Sequence, residues 1–401
     1  MRVPAVAQKG FPTRPTRSER SQKRPTALLV TDTFPRGKAR SCLTPFLFLQ
    51  FFVMNHAAPS PAKGKRCRAV GMLSGGLDSI LACKLMLAQD IEVLALNFVS
   101  PFCTCTSSGC RHQATKVAAE LGIPIKVVPT GPDYIEMVKH PKHGYGRNMN
   151  PCLDCRIFTF SRARKYLEEV GAQFVFSGEV LGERPMSQHL QALRLIERES
   201  GLEGRLLRPL SAQLLEPTIP ERTGLVDRER LLAFQGRSRK PQIALAASLG
   251  INDYPCPAGG CLLTDRQFAL RLKDAFAHGE DSLHHIRFLR LGRHFRLPSG
   301  AKVVVGRDEL ENRALQNIVQ PSETVLEAEG VGSPVTVVLG SANNSDIELA
   351  ARICARFSDA KLEPLVKIRC RGAASAPGTA RLISVRPITE AEITPLRIPG
   401  H

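Results

Sequence analysis

The chain reads as an α/β protein built on a doubly wound parallel sheet, with a smaller α+β domain toward its C-terminal end. Three observations predict this. Between Arg68 and Pro129 short apolar runs alternate with helix-like runs, the pattern of a parallel sheet with crossover helices. The turn Ser74-Gly75-Gly76-Leu77-Asp78-Ser79 leads straight from a strand into a helix. After about residue 275 basic and apolar residues alternate instead, which marks a second domain.

In order, strands are expected over 68–73, 91–99 and 123–129, and helices over 80–89 and 112–121, giving a β-α-β-α-β unit. Ligands in such sheets bind at the carboxyl ends of the strands. The Ser74–Ser79 turn lies at such an end. It aims several backbone N–H groups and the positive end of a helix dipole at one point, where a phosphate belongs. Gly75 and Gly76 allow close approach of the backbone, and the Ser74 and Ser79 hydroxyls add donors. Asp78 is repulsive to phosphate unless Mg²⁺ lies between them, so its expected role is to hold the metal or to orient the loop. The lysine of the G-x-x-x-x-G-K-[ST] phosphate loop is absent.

The loop after the second strand, residues 100–110, carries Cys103, Cys105 and Cys110 and is expected to hang over this site. Its C-x-C-x₄-C spacing matches no common zinc pattern, so sulfur or metal handling and small polar filler both stay open. A polar, Gly-rich stretch from His140 to Asn150 then leads into Asn150-Pro151-Cys152-Leu153-Asp154-Cys155. Arg156 to Glu169 reads as a basic amphipathic helix. A C-x-x-C at its start sits where the dipole favours thiolate, the form that binds metal or attacks sulfur. Strand-like Phe174-Val175-Phe176 runs into Ser177-Gly178-Glu179, and Leu207-Arg208-Pro209-Leu210 follows. The basic segment 236–241 suits RNA phosphates or a solvated helix lead-in, and Arg222, Arg228 and Arg230 share that ambiguity. Residues 284–297 alternate as a half-buried strand does, with His284, His285 and His294 expected on a polyanion-facing surface.

Composition narrows the function classes. With 401 residues and 43% hydrophobic content the chain holds about two or three domains with real cores. The longest apolar stretch, residues 43–54, is broken by Pro45 and Gln50 and falls short of the ~20 residues of a membrane span, so no membrane partner is expected. Net charge is +18, which favours a polyanionic partner. Residues 1–60 hold ten Lys/Arg against two acids and leave about +10 for the remainder. That Pro-, Ser- and Arg-rich leader is expected to be disordered, as a transit peptide or as the product of a start codon assigned upstream of Met54. Twelve cysteines within an α/β pattern exclude a small disulfide scaffold and point to metal, cluster or sulfur chemistry in a reducing compartment.

The run S-G-G-L-D-S, N-P-C-x-x-C, S-G-E, L-R-P-L and Tyr254-Pro255-Cys256-Pro257-Ala258-Gly259-Gly260-Cys261 resembles the PP-loop tRNA thiolation enzymes, N-type ATP pyrophosphatases, over roughly residues 66–275. The resemblance implies an adenine nucleotide alpha hydrolase-like fold. It also implies ATP with Mg²⁺ at Ser74, Gly75, Gly76, Asp78 and Ser79, and release of pyrophosphate. Cys152, Cys155 and Cys256 take the positions that hold a [4Fe–4S] cluster in some relatives and carry a persulfide in others; Cys261 is needed by neither scheme. By spacing alone, two pairs, Cys152/Cys155 and Cys256/Cys261, also suit structural Zn²⁺. The V-G-R-x-x-x-x-N element at 305–312 and the helix at 347–358 resemble the RNA-binding domain of NFACT proteins, over about residues 285–370.

The expected organisation is a leader over 1–60, a PP-loop domain over 66–275, an RNA-binding domain over 285–370 and a flexible tail over 371–401. The expected function is a cytoplasmic, ATP-dependent tRNA sulfurtransferase that adenylates a base carbonyl and replaces its oxygen with sulfur from a persulfide carrier or sulfide. Asp78, Cys152, Cys155 and Cys256 are its expected catalytic residues. The rivals are a PP-loop ligase for a small molecule, with structural zinc, and an RNA-binding protein with a decayed ATP site.

Overall fold

The computed structural model describes residues 67–103, 110–254, 261–340, 342–372 and 380–398. Five strands, β1 (Arg68–Met72), β2 (Glu92–Val99), β3 (Ile125–Pro129), β4 (Phe174–Ser177) and β5 (Leu206–Leu207), form a wholly parallel sheet in the order β3-β2-β1-β4-β5. The chain runs outward from β1 to β3, then returns to place β4 on the other side of β1. The crevice between the ends of β1 and β4 is therefore the topological switch point, where such sheets bind ligands.

Helices cover both faces. On one, α1 (Leu77–Leu87) packs on β1 and β2, and α2 (Cys110–Leu121) on β2 and β3. After α3 (Pro132–Lys139), the helices α4 (Cys152–Glu169) and α5 (Leu190–Ser200) cover the opposite face, where Phe160, Ala163, Leu167 and Ile196 pack against Val70, Leu96, Val175 and Leu206. The β1 run is buried on both sides, with Ala69 and Val70 at 0% exposure, which is why it reads as continuous apolar sequence rather than alternation.

A short α6 (Ile219–Arg222) precedes α7 (Lys240–Ser248), α8 (Arg266–Ala277) and α9 (Leu283–Phe288). The expectation of a strand across 284–297 is corrected here. Ser282 caps α9 by accepting from the His285 N–H, and Ile286 and Leu289, three residues apart, enter one core together. Only after Gly292, at φ +68°, does the strand β6 (Arg293–Arg296) begin. A Cβ on Gly292 would lie 2.4 Å from the Val305 carbonyl oxygen, so the turn requires glycine.

The C-terminal sheet is antiparallel and six-stranded, β11-β10-β8-β9-β7-β6, built from β6, β7 (Lys302–Val305), β8 (Thr324–Ala328), β9 (Thr336–Leu339), β10 (Val366–Gly372) and β11 (Arg381–Val385). Its valine run splits by parity. Val303 and Val305 join the core under α11 (Asn344–Arg356), while Val304 joins Phe288 and Leu315 on the other face, beside α10 (Glu309–Ile318). Both faces are thus covered by helices.

The tail expected from residue 371 is also corrected. β11 pairs along β10, and α12 (Glu390–Ile393) follows it, with Ile388 and Ile393 buried in the α11 core. The composition of 371–399 masks this because the apolar residues that dock it are few and widely spaced. Two of the three histidines expected on a polyanion-facing surface, His294 and His284, are turned inward instead. His294 is fully buried with Nε2 at 2.8 Å from the Leu291 carbonyl oxygen, and His284 Nε2 lies 2.6 Å from Glu323 Oε1. Among the described residues no helix is long and apolar enough to cross a membrane.

Candidate active site

The turn after β1 closes on itself through its serines. Ser79 Oγ donates to the Gly76 carbonyl at 2.7 Å, Ser74 and Ser79 hydroxyls lie 3.2 Å apart, and the Gly76 N–H points at Ser74 Oγ at 3.3 Å. Gly75 has φ +81° and a Cβ there would meet the backbone of Ala114 at 3.0 Å. Gly76 is the N-cap of α1, and no side chain caps that helix. Its first N–H groups and its dipole are therefore presented to the switch-point crevice, as an anion site requires. Ser74, Gly75, Gly76 and Ser79 form one strand–turn–helix junction, and the Ser79 hydroxyl, expected as a donor to a ligand, donates within the loop instead.

Asp78 points into the same crevice. Its Oδ2 is 3.5 Å from Arg239 Nη2, and its Oδ1 is buried with no hydrogen-bond partner among the described residues. Burial raises its carboxyl above the ordinary value, and Arg239 and Arg184 oppose that rise. Glu183 is raised too, by burial first and then by the nearby charge of Asp78. An unpartnered buried carboxylate oxygen beside a second carboxyl and two guanidiniums fits the expected Mg²⁺–phosphate arrangement.

The S-G-E motif after β4 faces the turn from across the crevice. A Cβ on Gly178 would sit 2.4 Å from the Asp78 carbonyl carbon, so only glycine lets β4 end against the start of α1. Glu179 is buried and accepts from Arg208 Nε at 3.0 Å, with its other oxygen 3.4 Å from Arg156 Nε. Arg208, buried itself, also pairs with Glu197. The S-G-E and L-R-P-L motifs are thus two halves of one buried ion network, and its outward member is Arg156, next to the C-x-x-C. Burial is the largest influence on Arg156 and disfavours its charge, but Glu179 together with the nearby Cys155, Cys152 and Tyr134 outweighs it, and the guanidinium pKa stays above its ordinary value.

Cys152 and Cys155 occupy the first turn of α4, as the sequence predicts. Between them, Asp154 anchors the Gly-rich loop: its carboxylate accepts from the His143 N–H at 3.0 Å and lies 3.0 Å from His143 Nδ1. Tyr134 Oη lies 3.1 Å from Cys155 Sγ. The expectation that the helix start favours thiolate needs correction at Cys155. Burial raises that thiol, against weaker lowering by Tyr134 and Arg156. Cys261 is pushed up to about 12, by burial first, with Cys155, Cys152 and Cys103 all near enough to add to the rise. Cys256 and Cys105 lie outside the described residues. Among the described residues no three His, Cys, Asp or Glu side chains are arranged to hold a metal ion. Two of the three thiols expected to hold a cluster do sit together, and their donor chemistry suits iron or zinc.

One cavity of about 620 Å³ joins these parts. Ser74, Gly76, Asp78, Glu179, Tyr134 and Cys155 are among its walls, and Arg156, Arg184, Arg237 and Arg239 supply its positive charge. The segment 236–241, expected either to meet RNA or to lead into a helix, does the latter and also places two arginines in this cavity. The S-G-E motif and the basic segment were visible in sequence, but the pairing of Glu179 with Arg208 and of Arg239 with Asp78 had no signal in local spacing, because the partners come from distant parts of the chain.

A family model described as thiamine biosynthesis protein (ThiI) matches residues 64–214, and one described as the NFACT protein RNA binding domain matches residues 292–396. The tRNA-specific 2-thiouridylase MnmA of Syntrophotalea carbinolica is 32% identical over 124 residues, 29% of this chain and 35% of that protein. Its counterpart in Trichlorobacter lovleyi is 27% identical over 153 residues, 37% of this chain and 43% of that protein. The chain thus spans less than half the length of these curated relatives. A 4-thiouridine synthetase solved with RNA and bound ATP is 21% identical, with 52% of this chain and 50% of that one covered and a TM-score of 0.32. The motif resemblance carried by S-G-G-L-D-S and N-P-C-x-x-C is therefore matched by family models and relatives: the N-terminal half is similar to the PP-loop thiolation enzymes and the C-terminal part to the NFACT RNA-binding domain.

Proposed function

We propose that this chain is an ATP-dependent tRNA sulfurtransferase. One observation carries the reading: the phosphate-binding turn and a cysteine of the C-x-x-C line the same cavity, whose volume suits a nucleotide together with a base. A chemistry that activates an oxygen with ATP and then replaces it with sulfur needs those two parts within reach of each other.

The backbone N–H groups at the start of α1 bind the pyrophosphate portion of ATP, and Arg239, Arg237 and Arg184 neutralise it. Asp78 Oδ1 would hold Mg²⁺, which would offset the phosphate charge. The base carbonyl oxygen attacks the α-phosphorus, the bond to the β-phosphate oxygen breaks, and pyrophosphate leaves. Sulfur then adds to the activated carbon, and AMP leaves with the former carbonyl oxygen. Cys152, Cys155 and Cys256 carry or coordinate the sulfur. Those three thiolates would hold a [4Fe–4S] cluster, which would supply a binding site for sulfide. In the persulfide alternative the outer sulfur adds to the carbon and a second thiol of the set displaces it from the carrier cysteine, leaving a protein disulfide. Zinc would make the site structural. Tyr134 fixes the Cys155 side chain, and Arg156 places a permanent positive charge beside the arriving thiolate or sulfide. The domain at 292–396 holds the tRNA, and the reaction is expected in the cytoplasm.

The test uses the full chain, purified without oxygen and incubated with ATP, Mg²⁺, sulfide and unmodified tRNA, followed by mass spectrometry of the digested nucleosides. A new thionucleoside that disappears in Cys152→Ala is the expected result. ATP turnover without a thionucleoside would shift the assignment to a PP-loop ligase acting on a small molecule.

A further inference from the structure

The steps proposed above assign no task to the polar, Gly-rich loop at 140–150, yet the fold fastens it at several points. The His143 N–H donates to Asp154 at 3.0 Å, the Gly146 N–H to the Asn150 carbonyl oxygen at 2.9 Å and the Met149 N–H to the Leu263 carbonyl oxygen at 3.1 Å. Asn148 Nδ2 donates to the Thr264 carbonyl oxygen at 2.7 Å. Gly144, at φ +73°, and Asn148, at φ +55°, take left-handed conformations that suit those two residue types. A loop fixed in this way presents its side chains with little ordering cost on binding.

What it presents is the ring of Tyr145. A surface tyrosine ordinarily turns its hydroxyl to water and its apolar body inward. Here the hydroxyl is shared between two carbonyl oxygens at the end of α3, Val138 at 2.7 Å and Lys139 at 3.0 Å, while the residue stays 40% exposed. Burial raises the Tyr145 phenol above its ordinary value, as a hydroxyl turned inward requires. Beside it Met186, itself 41% exposed, lies against the loop: a Cβ on Gly146 would come within 2.8 Å of its Cε. Glu199 is taken up by Lys142 and His143, and the exposed Arg147 makes no ion pair among the described residues. This patch borders the cavity. Met186 belongs to the loop whose Glu183, Arg184 and Gln188 line it, and Tyr145 is tied to α3 about one turn beyond Tyr134, another of its walls.

A flat aromatic face, a thioether and an uncompensated guanidinium suit an unstacked nucleobase and its phosphate, because every base has a π face. One ring and one thioether fall far short of the roughly 800 Å² per side that a stable protein partner covers. We propose that loop 140–150 is a platform for single-stranded RNA at the mouth of the cavity: a base adjoining the one being modified stacks on Tyr145 beside Met186, and Arg147 meets the phosphate of that nucleotide. The proposal rests on the reading of the chain as a tRNA enzyme and says where the strand enters its site. The stack accepts any base, so it positions the strand without reading its sequence.

Binding of labelled, unmodified tRNA to the full chain is measured over a range of salt for wild type, Tyr145→Phe, Tyr145→Leu and Arg147→Gln, each checked for cooperative unfolding. Both Tyr145 variants lose the hydroxyl bonds, so the difference between them reads the ring alone. Tyr145→Leu should weaken binding about tenfold, whereas Tyr145→Phe should stay within about threefold of wild type. Arg147→Gln should reduce the slope of log affinity against log salt by about one. Equal losses in the two Tyr145 variants would overturn the platform, because they would trace the effect to the hydroxyl tether. Wild-type affinity in Tyr145→Leu would overturn it and leave the tRNA reading standing, and an unchanged salt slope in Arg147→Gln would overturn the phosphate contact. A wild-type chain that binds no tRNA would defeat the tRNA reading itself, and the platform with it.

Discussion

Asp78 carries the clearest residue-scale expectation, because its Oδ1 is buried with no hydrogen-bond partner among the described residues and Asp78 lines the cavity that Arg239 also lines. Asp78→Asn keeps the shape and removes the charge. ATP-dependent pyrophosphate release should fall about 100-fold, the usual cost of one preorganised electrostatic contact, while the unfolding midpoint stays near wild type. Gly178→Ala tests the close approach of β4 and α1: the added Cβ meets the Asp78 carbonyl, and about 1–3 kcal/mol of stability should be lost in denaturant titration, together with ATP affinity. Arg208→Leu leaves Glu179 buried beside a single weaker partner, Arg156, and should cost about 3–5 kcal/mol, more than Arg156→Leu, whose side chain is a third exposed. The turn residues were legible in sequence because a phosphate loop is local. Arg208 and Glu179 were not, since L-R-P-L and S-G-E are separate motifs whose meaning is the ion pair between them. Cys155 shows the opposite limit: its place at a helix start was legible, but the burial that raises its thiol depends on Tyr134 and on the core around α3 and α8.

At the scale of elements, the parallel unit was legible because each buried strand and crossover helix announces itself within a few residues. α9 was not, because Ile286-Arg287-Phe288 alternates apolar and charged residues as a strand does, and over a turn and a half only the Ser282 cap and Gly292 mark it as a helix in which Ile286 and Leu289 share a face. The join between α8 and the antiparallel sheet is equally invisible in sequence. Arg296 on β6 and the buried Lys302 on β7 both reach Glu280, just beyond the end of α8, with Lys302 Nζ at 3.1 Å and Arg296 Nη2 at 3.0 Å. Burial alone would raise the Glu280 carboxyl, but Arg296 and Lys302 outweigh it and hold the pKa below the ordinary 4.5. A carboxyl depressed in the folded state stabilises the protein above its unfolded pKa, and that contribution is lost as pH falls through the folded value. Thermal unfolding temperature should therefore drop on acidification below about pH 4.5, and Glu280→Gln should be less stable at neutral pH while losing part of that acid dependence.

The whole molecule joins a parallel sheet to an antiparallel module through one shared core, in which Phe102 and Tyr134 from the first meet Ile286 and Leu289 from the approach to the second. Even without residues 1–60 the chain keeps a surplus of about ten positive charges, and the two proposed roles make different use of it. A small-molecule ligase has no use for a polyanion: tRNA should neither bind it specifically nor change its pyrophosphate release. A tRNA enzyme that neutralises some six phosphates releases as many counterions, so its tRNA affinity should fall on the order of a thousandfold between 50 and 200 mM salt. Its pyrophosphate release should rise when unmodified tRNA is added, because the base carbonyl is the acceptor of the adenylyl group. Measuring both on the full chain separates binding from chemistry. Steep salt dependence with tRNA-stimulated turnover fits the cavity lined by Asp78 and Cys155, whereas salt-dependent binding without stimulation would leave a module that holds RNA beside an unrelated ATP reaction.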